Sequence, residues 1–359
     1  MEIKEVENNL SNIRKTRQLW DEFAFVQNDQ SEDVNYQKRY ALATALQYDH
    51  QPTDKSLIKY LLEQEVESRQ SDPFQGNSDV LMLLSYLLAS YREVENVWLF
   101  EKAKYANFDT YCGYDAEFIF SAGVKATCAY LEEQQITEDN LYLWEHRDHL
   151  RGMYTEQSID RFLEGMKKRY PKQKEDEDIA TLFEQAVLLE DSIEAEKLFL
   201  QVEKQEGRSD QELSHYAEDA GNIEKAIYYQ IRHIEELELD WDKAVAIHQL
   251  VKLYISTEDY RNAFLTAKTW GKHLKNFQGW RETNLGRSLT ETWFDISLGC
   301  YRQKKKKLAK QSFWQGQYLF QKIHNPSVSL LEKGSKCAEK LANVKRQRKY
   351  KRLLEKVRL

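Results

Sequence analysis

The chain has 359 residues and a net charge of −7, with 41% hydrophobic and 12% aromatic residues but only 13 Gly and 4 Pro. So little Gly and Pro excludes a collagen-like chain and argues against a turn-rich β-sandwich or barrel, while the apolar and aromatic content excludes intrinsic disorder. The charge is polarised: residues 175–242 hold 21 acids against five bases, and residues 301–359 hold 18 Lys/Arg against the three acids Glu332, Glu339 and Glu355.

Helical periodicity dominates and no run of alternating apolar and polar residues stands out. The first stretch, 2–28, spaces Leu10, Ile13, Leu19, Trp20 and Phe23 at helical intervals. Further helices are predicted at 33–49, 54–71, 78–91, 93–106, 115–134, 138–150 and 155–169, with Pro52, Pro73, Pro171 and Pro326 in the connections. The most apolar window, Val80–Ala89, is about half of what a helix needs to cross a bilayer and reads as a buried helix. Met1–Asn9 lacks the basic-then-apolar layout of a signal peptide. Cys112, Cys128, Cys300 and Cys337 form no C-x-x-C pair, so reduced thiols and a cytoplasmic location are expected.

The expected class is all-α. Residues 1–170 read as an irregular N-terminal helical bundle, and a short charged segment from Pro171 to Asp178 marks the boundary. A second domain, 171–325, consists of paired helices, and 326–359 reads as a basic C-terminal helix with Leu330, Ala338, Leu341 and Val344 on one side, a cap for the helices before it.

Within the second domain a loose repeat is visible. Its clearest unit, Leu213–Ile234, carries Tyr216-Ala217, then Gly221-Asn222 and Ala226-Ile227-Tyr228-Tyr229. A second unit has Leu250, Tyr254, Tyr260 and Ala263, with Glu258 where a turn glycine would stand. Weaker units hold Leu182, Ala186, Ala195 and Phe199, and Cys300, Ala309 and Phe313, so that Ala195, Ala226, Ala263 and Ala309 fall 31, 37 and 46 residues apart. Over about residues 178–322 the chain resembles the tetratricopeptide repeat. That resemblance implies a short right-handed α-solenoid whose first helices line a concave face that grips a peptide or protein. The slots on that face hold Glu184, His215, Glu218, Asp219, His248, Lys252, Tyr301 and Arg302, a mixture suited to a polar segment with basic side chains.

Signals for chemistry are weak. His146 and His149, with Glu145 and Asp148, share a helix face but lack the further ligands a metal site needs, so a solvated face is the simpler reading. Phe108–Asp115 reads as an aromatic turn that plugs a helix junction, with Asp109 or Asp115 as a cap; Cys112 within it is a nucleophile only if a base approaches. Gly271, Gly279 and Gly286 suit helix termini. No phosphate loop, dinucleotide fingerprint, nucleophile elbow or kinase signature occurs, so neither an enzyme nor a cofactor is expected.

Two basic runs, Lys304-Lys305-Lys306-Lys307 and the stretch of Lys345, Arg346, Arg348, Lys349, Lys351 and Arg352, can neutralise phosphates of a nucleic acid or other polyanion. Both can instead be solvated helix ends that offset the helix dipole, or can bind the chain's own acidic stretch. The leading expectation is a non-enzymatic peptide- or protein-binding scaffold, either a peptide-responsive regulator or an immunity-type protein that neutralises a basic toxin. The alternative is polyanion binding through the C-terminal region, separable by deletion of 345–359.

Overall fold

The structure is a computed structural model that describes residues 3–71, 76–134 and 141–357. Every regular element among them is helical, and no helix among them is long and apolar enough to cross a membrane. The chain divides into two compact units, Met1–Asp191 and Ser192–Leu359.

The first unit comprises α1 (Ile3–Lys15), α2 (Tyr36–Tyr48), α3 (Lys55–Ser71), α4 (Asp79–Ala89), α5 (Val97–Lys104), α6 (Phe108–Gly113), α7 (Val124–Glu133), α8 (Leu141–Met153), α9 (Glu156–Arg169) and α10 (Ile179–Leu188). Every residue from Val80 to Ala89 is buried, as is every residue from Arg39 to Gln47. A helix apolar on all sides belongs at the centre of a bundle, and α2 and α4 pack on each other there, with α1 against α2 and α3 against α4. The centre also holds charge: Glu65 accepts from Arg39 Nη2 at 2.9 Å and from Ser78 Oγ at 2.6 Å, with Arg69 Nε at 3.3 Å and Asp33 closing on Arg39.

Three expectations for this half are corrected. The stretch 2–28 is not one helix: it breaks at Thr16 into α1 and a 3-10 helix over Arg17–Phe23, and Trp20 Nε1 folds back to donate to Ile13 O at 2.8 Å. The stretch 115–134 is divided at Gly123, whose φ of 107° only glycine adopts readily. Phe108–Asp115 is not a turn, because Asn107 and Thr110 cap each other's backbone N–H groups and start α6. Asp115 stands at the N-cap of the following 3-10 helix, Ala116–Phe120, but its side chain makes no cap bond, and Asp109 lies in the first turn of α6. Of its aromatics only Tyr114 plugs the core, at 2% exposure, whereas Phe108 and Tyr111 are exposed.

The charged segment after α9 is fastened to α2: Gln47 Nε2 donates to Pro171 O and to Glu177, and Tyr48 Oη reaches Glu177. The compact first unit therefore extends through α10 to Asp191, past the 171–178 segment where the sequence suggests a boundary.

The second unit comprises α11 (Ser192–Val202), α12 (Asp210–Asp219), α13 (Ile223–Glu236), α14 (Asp240–Ser256), α15 (Tyr260–Leu274), α16 (Asn284–Arg302), α17 (Lys306–Phe320), α18 (Val328–Lys340) and α19 (Val344–Val357). From α12 onward these pack as hairpins, α12 with α13, α14 with α15, α16 with α17 and α18 with α19. First helices also meet, α14 on α16 and α16 on α18.

One turn builds all four hairpins. Gly221, Glu258, Lys304 and Ala342 take a left-handed backbone, with φ between 55° and 76°. The N–H of the next residue returns to a carbonyl five positions back: Asn222 to Ala217, Asp259 to Tyr254 and Lys305 to Cys300 at 2.8 Å, and Asn343 to Ala338 at 2.7 Å. This is the Schellman closure, in which the left-handed residue satisfies the last free carbonyls of a helix. Asn222, Asp259 and Asn343 then accept from the N–H three positions on and start the second helix. Five residues after the left-handed position stand Ala226, Ala263 and Ala309, each with no exposed surface. Against two of them a serine on the first helix makes the same bond, Ser214 Oγ to Ala226 O and Ser297 Oγ to Ala309 O.

Two further expectations are corrected here. Residues 327–359 are not a single helix: Ala342-Asn343 is the fourth copy of the turn and divides α18 from α19. Gly271 lies inside α15 rather than at a terminus.

Candidate functional site

Three histidines from three successive helices converge on one cavity of the second unit. His215 of α12, His233 of α13 and His248 of α14 line a space of about 350 Å³ together with Gln211, Gln230, Leu237, Asp242, Val245, Ala246 and Gln249. The histidines differ in setting. His215 is exposed, whereas His248 lies against Trp270, ring centroids 4.4 Å apart and planes 18° apart. Burial, with a smaller contribution from the Lys252 charge, pulls His248 down to about 4, so this imidazole is neutral at pH 7.

Beneath the histidines lies Gln230, 2% exposed. Its Nε2 donates to Ala246 O at 2.8 Å and ties α13 to α14. Its Oε1 is fully buried and has no donor, which costs free energy. The rim carries Asp242, and Gln249 Nε2 donates to Glu218 at 2.6 Å, so carboxylates of α12 and α14 stand at or beside the opening. Val245, 47% exposed, and Leu237 give it an apolar edge.

Of the concave-face residues expected from the sequence, His215 and His248 meet in this cavity, Glu218 holds one of its lining residues, and Lys252 acts on His248 through its charge. Asp219 is exposed outside the lining. Tyr301 and Arg302 close α16 away from it, and Arg302 Nη2 donates to the buried Tyr260 Oη at 3.0 Å. Glu184 belongs to the first unit, where it lines a separate cavity of about 130 Å³ with Arg169 and Tyr170. The slot pattern reads only first helices, and so misses Gln230 and His233, which lie one turn apart on the second helix α13.

The other candidates are placed as follows. Cys112 is exposed in α6. Glu145 and His149 are exposed on α8, His146 is half-buried, and the side chain of Asp148 lies outside the described residues. No group of three or more His, Cys, Asp or Glu that could hold a metal occurs among the described residues. Lys305–Lys307 and Lys345–Arg346 start α17 and α19, where the helix dipole is positive and these charges add to it; Lys304 follows the C-terminus of α16, where it offsets the dipole, and Lys349–Arg352 lie beyond the first turn of α19.

No family model, no curated protein and no solved structure matches the chain.

Proposed function

We propose that this chain is a non-enzymatic binding protein whose second unit stacks its hairpins as a tetratricopeptide-like α-solenoid and receives a peptide or protein segment in the cavity between α12, α13 and α14. The observation that carries this reading is the open space of about 350 Å³ that His215, His233 and His248 line from three successive helices. The acids beside the opening favour a basic side chain in the segment, while Val245 and Leu237 accept an apolar neighbour. The neutral His248 supplies an uncharged ring that does not repel a cation.

The reading is tested by selecting peptides from a random display library against the full chain and measuring their affinities by calorimetry. Peptides rich in Lys or Arg are expected, with binding weakened about tenfold or more by His233→Ala or Val245→Lys. If selection yields none, or if the selected peptides bind both variants as well as the original chain, the cavity is not the site.

A further inference from the structure

Basic residues are sorted by helix in the last three hairpins. The second helices α15, α17 and α19 carry thirteen Lys/Arg and one acid, Glu355. Their partners α14, α16 and α18 mix both signs, with Asp240, Asp242, Glu291, Asp295, Glu332 and Glu339 among them. In the middle of the sorted set, α17 and its end present Lys310, Trp314, Tyr318 and Lys322 at intervals of four, one face of a helix. Trp314 is 43% and Tyr318 54% exposed, unusual for rings of this size when nothing covers them.

Cations gather round these rings. Lys322 Nζ donates to Tyr318 Oη at 2.8 Å and lies 4.3 Å from the ring centre. Lys322 first, then Arg281 and Lys275 from the segment after α15, hold the Tyr318 phenol below its ordinary range. None of Lys275, Arg281, Lys310 and Lys322 has a carboxylate partner among the described residues, and Arg281 lies 4.6 Å over the ring of Trp280. Cations without carboxylates, interleaved with exposed rings, match a chain of phosphates carrying flat groups.

We propose that this face binds single-stranded nucleic acid, with Trp314 and Tyr318 stacking on bases and the surrounding cations on phosphates. Single strands fit better than duplex because the rings stand outward and need base faces, which a duplex keeps stacked inside. The surface is distinct from the histidine-lined cavity, so either reading can fail without the other.

The test is fluorescence anisotropy of a labelled mixed-sequence oligonucleotide with the full chain over a range of salt, beside the same sequence as a duplex and beside phosphatidylglycerol vesicles. The single strand is expected to bind more tightly than the duplex, with log K falling against log salt by about 0.7 for each phosphate engaged. Trp314→Ala and Tyr318→Ala are each expected to weaken binding roughly fivefold or more, and Trp314→Phe to restore most of it. Lys322→Gln is expected to make the salt dependence shallower, and His233→Ala to change nothing. Single-strand binding unchanged in Trp314→Ala and Tyr318→Ala, equal binding of duplex, or binding of vesicles without oligonucleotide would each overturn the proposal.

Discussion

His248 of α14 stacks on Trp270 of α15, with ring centroids 4.4 Å apart. The contact joins the wall of the cavity to the core of the second unit, since Trp270 has no exposed surface. Its pH consequence follows from the low value of about 4 that burial and Lys252 impose on the imidazole. An unfolded histidine titrates near 6.5. Above that pH both states are neutral and the contact is fully formed; below it the unfolded chain gains a proton that the folded chain refuses. Stability is therefore expected to fall between about pH 6.5 and 4, by about 1–2 kcal/mol once partial solvent access is discounted. Urea titrations of the chain and of His248→Phe across this range check it, because the variant loses that part of the slope.

Three of the four repeated turns place a residue with a side chain in a conformation that disfavours it. Ala342→Gly and Glu258→Gly relieve this strain and are expected to stabilise the second unit by up to about 1 kcal/mol each. Gly221→Ala is expected to cost about 1 kcal/mol by the same reasoning. Denaturant midpoints decide, and a Glu258→Gly variant less stable than its parent would contradict the argument.

Glu65 and Arg39 are both fully buried in the first unit and face each other at 2.9 Å. Glu65→Leu leaves Arg69 and Ser78 without their shared acceptor and Arg39 with Asp33 as its one carboxylate beside Phe23 O. Breaking such a pair costs about 3–5 kcal/mol, so unfolding of the first unit should shift to markedly lower urea. A surface substitution such as Glu164→Leu serves as the control with little change expected.

The thiols differ in reach. Cys112 is exposed, whereas Cys128, Cys300 and Cys337 are buried, and burial pushes Cys300 up to about 11 and Cys337 up to about 12. Only thiolate attacks a disulfide reagent. One fast equivalent of thiol is therefore expected in the native chain and three more on unfolding, and Cys112→Ser should remove the fast phase alone.

A deletion of residues 345–359 does not isolate their charge. Tyr350 of α19 is fully buried, its ring 4.8 Å from that of Phe320 and its Oη bonded to Gln317. Gly334 lies so close beneath that ring that a Cβ there would come within 2.5 Å of it. Single charge substitutions are the cleaner probe of the basic surface.

Much of the architecture was legible from local pattern. Periodicity marks the helices, the run Val80–Ala89 announces a buried one, and the alanines 195, 226, 263 and 309 mark the repeat even though its turn residue varies from Gly221 to Glu258 to Lys304. What hid the fourth hairpin was that variation: Ala342-Asn343 reads as helix because alanine favours helix strongly, and only its packing context holds it in the left-handed form. The break at Thr16 was hidden likewise, since Leu19 and Trp20 keep helical spacing while the backbone does not.

Composition and periodicity by themselves determined that this protein is helical, where most of its helices lie and that its charge is divided along the chain, because each of these depends on residues near one another in sequence. Which side chains meet was decided by tertiary packing. His233 and Gln230 join His215 and His248 because α13 packs on both α12 and α14, and Arg281 and Lys275 come to Tyr318 from the segment after α15. Such encounters depend on contacts between residues far apart in the chain, which no local pattern records.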